Sequence, residues 1–423
     1  MAYKQCAFTP LCLAAYFIIS GCTTTASTTA QTLPIARSPE EVGLSSPQFS
    51  RIEEVTRAHI KSGVMPGAVM LVQRKGKVAW FTALGDRDRA SGAPMRTDSI
   101  FRIYSMTKPI VSVVIMMLVE EGRMQVYDPV SKYLPEMSAM KVGVEKSDSA
   151  GKATMDLQAP EREITIQDLL RHTSGLIYGG RGKSLINQAY VDAKIDGRDI
   201  DNKEFVSRVA KLPLRFSPGT RWEYGISTDV LGRVIEVVEK KSLGEVLKAR
   251  IFDPLGMEDT AFFVPPEKMN RAAQTWQRPG GPPAARFDVS KEPAFESGGS
   301  GLVSTAEDYL RFTQMLLNGG EYNGKRFIGK KTLEFMTADH THNIPGRLAA
   351  TGFGLGFDVR NTIGAAGMPG SVGEYSWSGN AGTIFWIDPK EDLIAIYLVQ
   401  VADAERIFVR NQFRSMVQAA IVR

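Results

Sequence analysis

Phe101-Arg102-Ile103-Tyr104-Ser105-Met106-Thr107-Lys108-Pro109 decides the reading of this chain, because it sets a hydroxyl and an amine three residues apart where an apolar run, Pro109 to Val119, begins. Residues i and i+3 share a helical face, so the Lys108 amine can reach back to the Ser105 hydroxyl. An amine held neutral by burial and by its neighbours accepts the serine proton and makes a weak hydroxyl a competent nucleophile. A helix start also offers backbone N–H groups to an oxyanion and buries the lysine stem against the apolar face. The pattern recurs at Ser138/Lys141 and Ser149/Lys152, both in or beside a polar stretch that reads as loop. Taken by itself, Ser105 serves equally well as a helix cap beside a solvated lysine.

Composition narrows the alternatives. The chain has 423 residues, 43% of them hydrophobic, enough for one large domain or two intimate subdomains. A net charge of +5, with acids and bases interleaved, does not imply nucleic-acid binding. Cys6, Cys12 and Cys22 all fall in the first segment, which leaves the folded body without a thiol for a disulfide, metal or nucleophile. His59, His172, His340 and His342 show no metal spacing, and the pair His340/His342 reads as polar loop. No metal or other cofactor is expected.

Residues 1–21 carry Lys4 and an apolar run from Leu11 to Ile19, too short to span a bilayer and placed as a signal peptide would be. The segment ends in Ile19-Ser20-Gly21-Cys22, which resembles the lipobox of bacterial lipoproteins; that resemblance implies lipidation of Cys22. Residues 22–37, rich in Thr, Ser and Ala at their start, read as a flexible tether. The expectation is an exported protein of the bacterial cell envelope, lipid-anchored at the outer membrane or facing the periplasm.

From residue 38 onward the chain reads as one α+β domain. Ser46-Pro47 caps an amphipathic helix that runs to Gly63, and Ala68–Gln73 and Val78–Ala83 form a hairpin around Lys75-Gly76. Residues 373–377, 383–387 and 393–399 read as strands, and 404–422 as a closing amphipathic helix with Ile407, Phe408, Met416, Val417 and Ile421 among its apolar positions. Between them, helical patterns at 166–171, 202–211, 228–240 and 306–318 alternate with Pro- and Gly-rich connections. The irregular stretch Pro265 to Gly299, which contains Pro279-Gly280-Gly281-Pro282-Pro283, is long enough to line a site or act as a lid. The spacing predicts an antiparallel sheet built from N- and C-terminal strands and flanked by helices, with about 38–115 and 300–423 as the α/β part and about 116–299 as an inserted, mainly helical subdomain.

Two further segments carry chemistry. Tyr224, in Trp222-Glu223-Tyr224-Gly225-Ile226-Ser227, stands at a loop-helix junction where a phenol near an ammonium can shuttle a proton. In Tyr375-Ser376-Trp377-Ser378-Gly379-Asn380, the small residues around Gly379 let a substrate lie along a strand edge, and a backbone N–H there can join that of Ser105 in an oxyanion hole. Separately, each has a plain packing role.

In this order and spacing the three segments resemble the serine beta-lactamase and penicillin-binding-protein superfamily, and within it the family VIII carboxylesterases, which look like class C beta-lactamases. Met65-Pro66-Gly67-Ala68, Leu169-Leu170-Arg171-His172-Thr173-Ser174-Gly175-Leu176 and Gly298-Gly299-Ser300-Gly301 through Asp308 extend the likeness from about Pro39 to the C-terminus. The resemblance implies a beta-lactamase/transpeptidase-like fold. It makes Ser105 the acylated nucleophile, Lys108 its proton acceptor and Tyr224 the relay to the leaving oxygen and water. The backbone N–H groups of Ser105 and Asn380 become the oxyanion hole, Trp377 and Gly379 substrate contacts, and His172 a structural residue.

Departures from the pattern point to the substrate. Tyr224-Gly225-Ile226 lacks the amide of Tyr-x-Asn, and Trp377-Ser378-Gly379 lacks the lysine of Lys-Thr-Gly, so no cation is expected there to meet an anionic substrate. Trp-x-Gly resembles the esterase branch, and no Gly-x-Ser-x-Gly elbow competes. The resulting expectation is a serine carboxylesterase for neutral, small to medium esters. Open alternatives are a weak class C-type beta-lactamase or D-amino acid peptidase, an acyltransferase of the same fold, and a catalytically silent lipoprotein that binds cell-wall material.

Overall fold

The computed structural model describes Met1 and residues 33–423, apart from 148, 150, 196, 278–286, 348–349 and 403–404. Cys22, the apolar leader and the run from Pro279 to Pro283 lie outside the described residues. Among the described residues, no helix is long and apolar enough to cross a membrane.

Lys75 and Gly76 both take positive φ, 50° and 73°, as a tight hairpin turn requires, and fold strand Gly67–Arg74 onto Lys77–Asp88. The other edge of Gly67–Arg74 pairs antiparallel with Leu393–Val399, Ala68 opposite Val399 and Arg74 opposite Leu393. The two ends of the chain thus meet in the middle of one antiparallel sheet. Its order is Thr351–Phe353, Asp358–Arg360, Tyr375–Ser378, Ile384–Asp388, Leu393–Val399, Gly67–Arg74, Lys77–Asp88, Ala93–Pro94.

Both faces of the central strands are buried, so their sequences read as unbroken apolar runs. Val69, Leu71, Ile394 and Ile396 face the larger core, beneath the helices of the middle of the chain. Met70, Val72, Ala395 and Tyr397 face a second core, closed by helices Ser46–Lys61 and Glu405–Gln418 through Phe49, Ile52, Val409, Phe413 and Val417. Each such apolar side chain contributes roughly 1.5–3 kcal/mol by leaving water.

Several expectations need correction. Ser45, not Ser46, caps the first helix, its side chain accepting from the Gln48 N–H. The stretch read as loop around Ser138 and Ser149 holds a 3-10 turn, Pro135–Ala139, and a hairpin of Val142–Ser147 with Ala153–Gln158. Within the last helix Ile407 and Phe408 are exposed, and the buried stripe is Val409, Phe413 and Val417. Helix Thr107–Glu120 packs on Ser227–Glu239 within the larger core.

Candidate active site

Ser105 lies in a 3-10 turn, Tyr104–Met106, that leads directly into the buried helix Thr107–Glu120. Tyr104 takes φ 45°, a left-handed conformation uncommon for a non-glycine residue and a local strain just before the serine. The surroundings hold that turn in place. Thr107 Oγ1 donates to the Tyr104 carbonyl at 2.6 Å, Tyr309 Oη donates to the Met106 carbonyl at 2.9 Å, and the Ile103 N–H donates to the Leu302 carbonyl.

Lys108 is fully enclosed. Its Nζ donates to the Gly299 carbonyl at 2.7 Å and to Tyr178 Oη at 3.0 Å, and lies 3.5 Å from Ser105 Oγ. It also sits 4.7 Å from the centre of the Tyr224 ring. Burial pushes this amine down, but Tyr178, Tyr224 and Asp229 more than offset it and hold the ammonium above its ordinary range.

Asp229 holds the lysine's strongest acceptor in place. Buried on helix Ser227–Glu239, it accepts from Ser297 Oγ and from the Gly299 N–H at 3.0 Å, while the Gly299 carbonyl faces Lys108. Burial raises its carboxyl above the usual range, against the pull of Lys108. A Cβ on Gly299 would overlap the Asp229 carboxylate, so only glycine lets this loop close. The end of the long irregular stretch thus does line the site.

Tyr224 brings its ring to the same place, but its Oη is buried and has no hydrogen-bond partner among the described residues. Gly225 permits this approach, since a Cβ there would overlap the Leu176 carbonyl. Ile226, at the position of the missing amide, is buried in the core. His172 packs 4.7 Å from the Tyr224 ring, and its Nδ1 faces the Gly225 N–H. Burial, followed by Lys108, Arg347 and Arg181, depresses His172 well below the usual imidazole range, so it stays neutral.

The third segment reaches the serine through Gly379. A Cβ there would lie 2.5 Å from the Ile103 carbonyl and closer still to Thr383 Oγ1. Gly379 is buried, and its lack of a side chain lets the strand approach the nucleophile turn. Asn380, the next residue, is exposed beside that contact, with Arg406 near its Oδ1. Trp377 stands edge-on to Tyr224 and Phe353, each at 5.2 Å.

Sequence reasoning missed Tyr178 and Arg181. Tyr178 follows the quoted Leu169–Leu176 segment, where a tyrosine before two glycines gives no chemical signal until Lys108 is seen against it. Arg181, exposed on the 3-10 turn Gly179–Arg181, stacks its guanidinium over Tyr178 at 5.0 Å and over Tyr224 at 4.9 Å.

With this geometry in place, the likeness to known proteins is consistent across three comparisons. A profile of the Beta-lactamase family matches residues 52–415. An uncharacterized protein of Mycobacterium tuberculosis is 36% identical over 357 residues, 80% of this chain and 86% of the relative. Esterase EstB of Burkholderia gladioli is 31% identical over 377 residues, 84% of this chain and 90% of the relative. In fold, the chain resembles EstCE1, described as a hydrolase with promiscuous acyltransferase activity, with a TM-score of 0.71 at 23% identity over 89% of this chain and 98% of that one. A profile spanning most of the folded body, together with relatives above 30% identity over four fifths of the sequence, establishes that the chain belongs to the beta-lactamase family.

Proposed function

We propose that the protein is a serine carboxylesterase that hydrolyses small to medium carboxylic esters through an acyl-enzyme on Ser105. The observation that carries this reading is the Lys108 ammonium, 3.5 Å from Ser105 Oγ and 3.0 Å from a second phenol, in a site whose walls are aromatic. The relative named Esterase EstB supports the substrate class.

Ser105 Oγ attacks the ester carbonyl carbon and gives its proton to the Lys108/Tyr178/Tyr224 cluster after that cluster has lost one proton. The backbone N–H groups of Ser105 and Asn380 receive the developing oxyanion. The carbonyl–alkoxy bond then breaks, the alcohol leaves with the proton, and water repeats the sequence to release the acid. Tyr224 Oη, buried and unpaired, is the donor available to the leaving oxygen. Trp377 supplies apolar surface where a lysine would have supplied charge.

Ser105→Ala should abolish turnover and leave the fold intact, and a phosphonate should label the peptide containing Ser105. With p-nitrophenyl butyrate and a cephalosporin as rivals, kcat/KM should favour the ester by orders of magnitude; a ratio near one would overturn the reading in favour of a beta-lactamase. An added alcohol competes with water for the same acyl-enzyme, so product partition measures any acyltransferase character. We infer also that Cys22 is lipidated and tethers the domain to the bacterial cell envelope, which the run Leu11–Ile19 and the Thr-rich residues after Cys22 support.

A further inference from the structure

Arg181 restores a positive charge to the mouth of a site that Trp377 had been expected to leave neutral. The other cations nearby are occupied. Lys108 donates to Gly299, Tyr178 and Ser105, and Arg347 stacks on Trp222 at 4.6 Å while pairing with Asp358. Arg181 is exposed, its guanidinium carbon lies about equally far from the two tyrosine rings, and among the described residues no carboxylate is paired with it.

A guanidinium laid against aromatic faces keeps its N–H groups around its edge. Contact with two rings confines the guanidinium, so a two-point contact with a carboxylate costs less further ordering. Arg181 adjoins the phenol that faces Lys108 and the one that faces the leaving oxygen, so an anion held there lies beside the reacting ester. We propose that Arg181 is a substrate-binding residue that selects esters carrying a carboxylate on the acyl or alcohol side, in place of the uniformly neutral esters the sequence pointed to. This rests on the esterase reading of the same site.

Three matched substrates test it: phenyl acetate, 4-acetoxybenzoate with the charge on the alcohol side, and monophenyl glutarate with the charge on the acyl side. Arg181→Gln should lower kcat/KM for one charged ester roughly tenfold more than for phenyl acetate, through KM, because a charge-assisted hydrogen bond is lost. Arg181→Lys should recover part of that difference. An equal fall on all three substrates would mean a merely structural arginine and would overturn the proposal. Glutarate binding, followed by quenching of tryptophan fluorescence beside Trp377 and Trp222, gives an arm that needs no turnover. It should saturate in the unmodified protein and be lost in Arg181→Gln, and persistence in the variant counts against the proposal. Absence of turnover with every ester would sink the esterase reading, while the fluorescence arm would still decide the role of Arg181.

Discussion

Tyr224 and Tyr178 look interchangeable as residues and differ in what they touch. Tyr224 Oη is buried without a partner, so Tyr224→Phe removes an unsatisfied hydroxyl and should hold or slightly raise Tm. The same change should cost on the order of a hundredfold in kcat, the usual loss for a proton-transfer group. Tyr178→Phe strips a hydrogen bond from Lys108, and its activity loss should come with a changed pH profile. In the intact enzyme, burial holds Tyr178 above the ordinary phenol range, and Lys108 is raised as well. The Lys108–Tyr178 pair has to give up one proton before it can take that of Ser105, so kcat/KM should climb from neutrality into the alkaline range. Its inflection belongs to the cluster and not to one residue. A profile that falls above pH 7 while the fold stays intact would contradict this relay.

Among elements, the contact between strand Tyr375–Ser378 and the nucleophile turn is the one the chemistry depends on. Gly379→Ala would push a methyl group against the Ile103 carbonyl, a backbone atom that cannot swing aside. Activity should drop tenfold or more and Tm should fall, both read on the purified variant against Ser105→Ala as a folded, inactive control. Legibility followed burial. Strands Gly67–Arg74, Ile384–Asp388 and Leu393–Val399 could be read because their apolar runs are buried on both faces. The hairpin of Val142–Ser147 and Ala153–Gln158 was missed: Ala153–Gln158 does alternate, but it is almost wholly exposed, and its partner ends in the exposed, polar Glu145-Lys146-Ser147. The last helix was placed within a few residues, yet Ile407 and Phe408 misdirected its face, and Arg414 instead turns inward to pair with the buried Glu374. At the site, Ser105, Lys108 and Tyr224 were legible as types at a spacing. Tyr178 and Asp229 act only through the folded approach of distant segments, and the charge state of Lys108 depends on both.

On the scale of the whole molecule, the described body begins at Leu33, eleven residues after Cys22 by number, and Ile35 bridges the sheet at Val78. Cys22→Ser should shift the protein from the detergent-extracted membrane fraction to the soluble one, or leave it as unprocessed precursor; an unchanged detergent-dependent fraction would count against lipidation. The pairing of Gly67–Arg74 with Leu393–Val399 bears on how such a chain is made. The central strand acquires one neighbour early, as a hairpin, but its other neighbour, Leu393–Val399, is made long afterwards, so much of both cores stays unformed until the intervening chain has been synthesised. Until that strand arrives, the edge of Gly67–Arg74 it will cover is open to any other chain that can pair with it, so the half-made molecule is where aggregation threatens most.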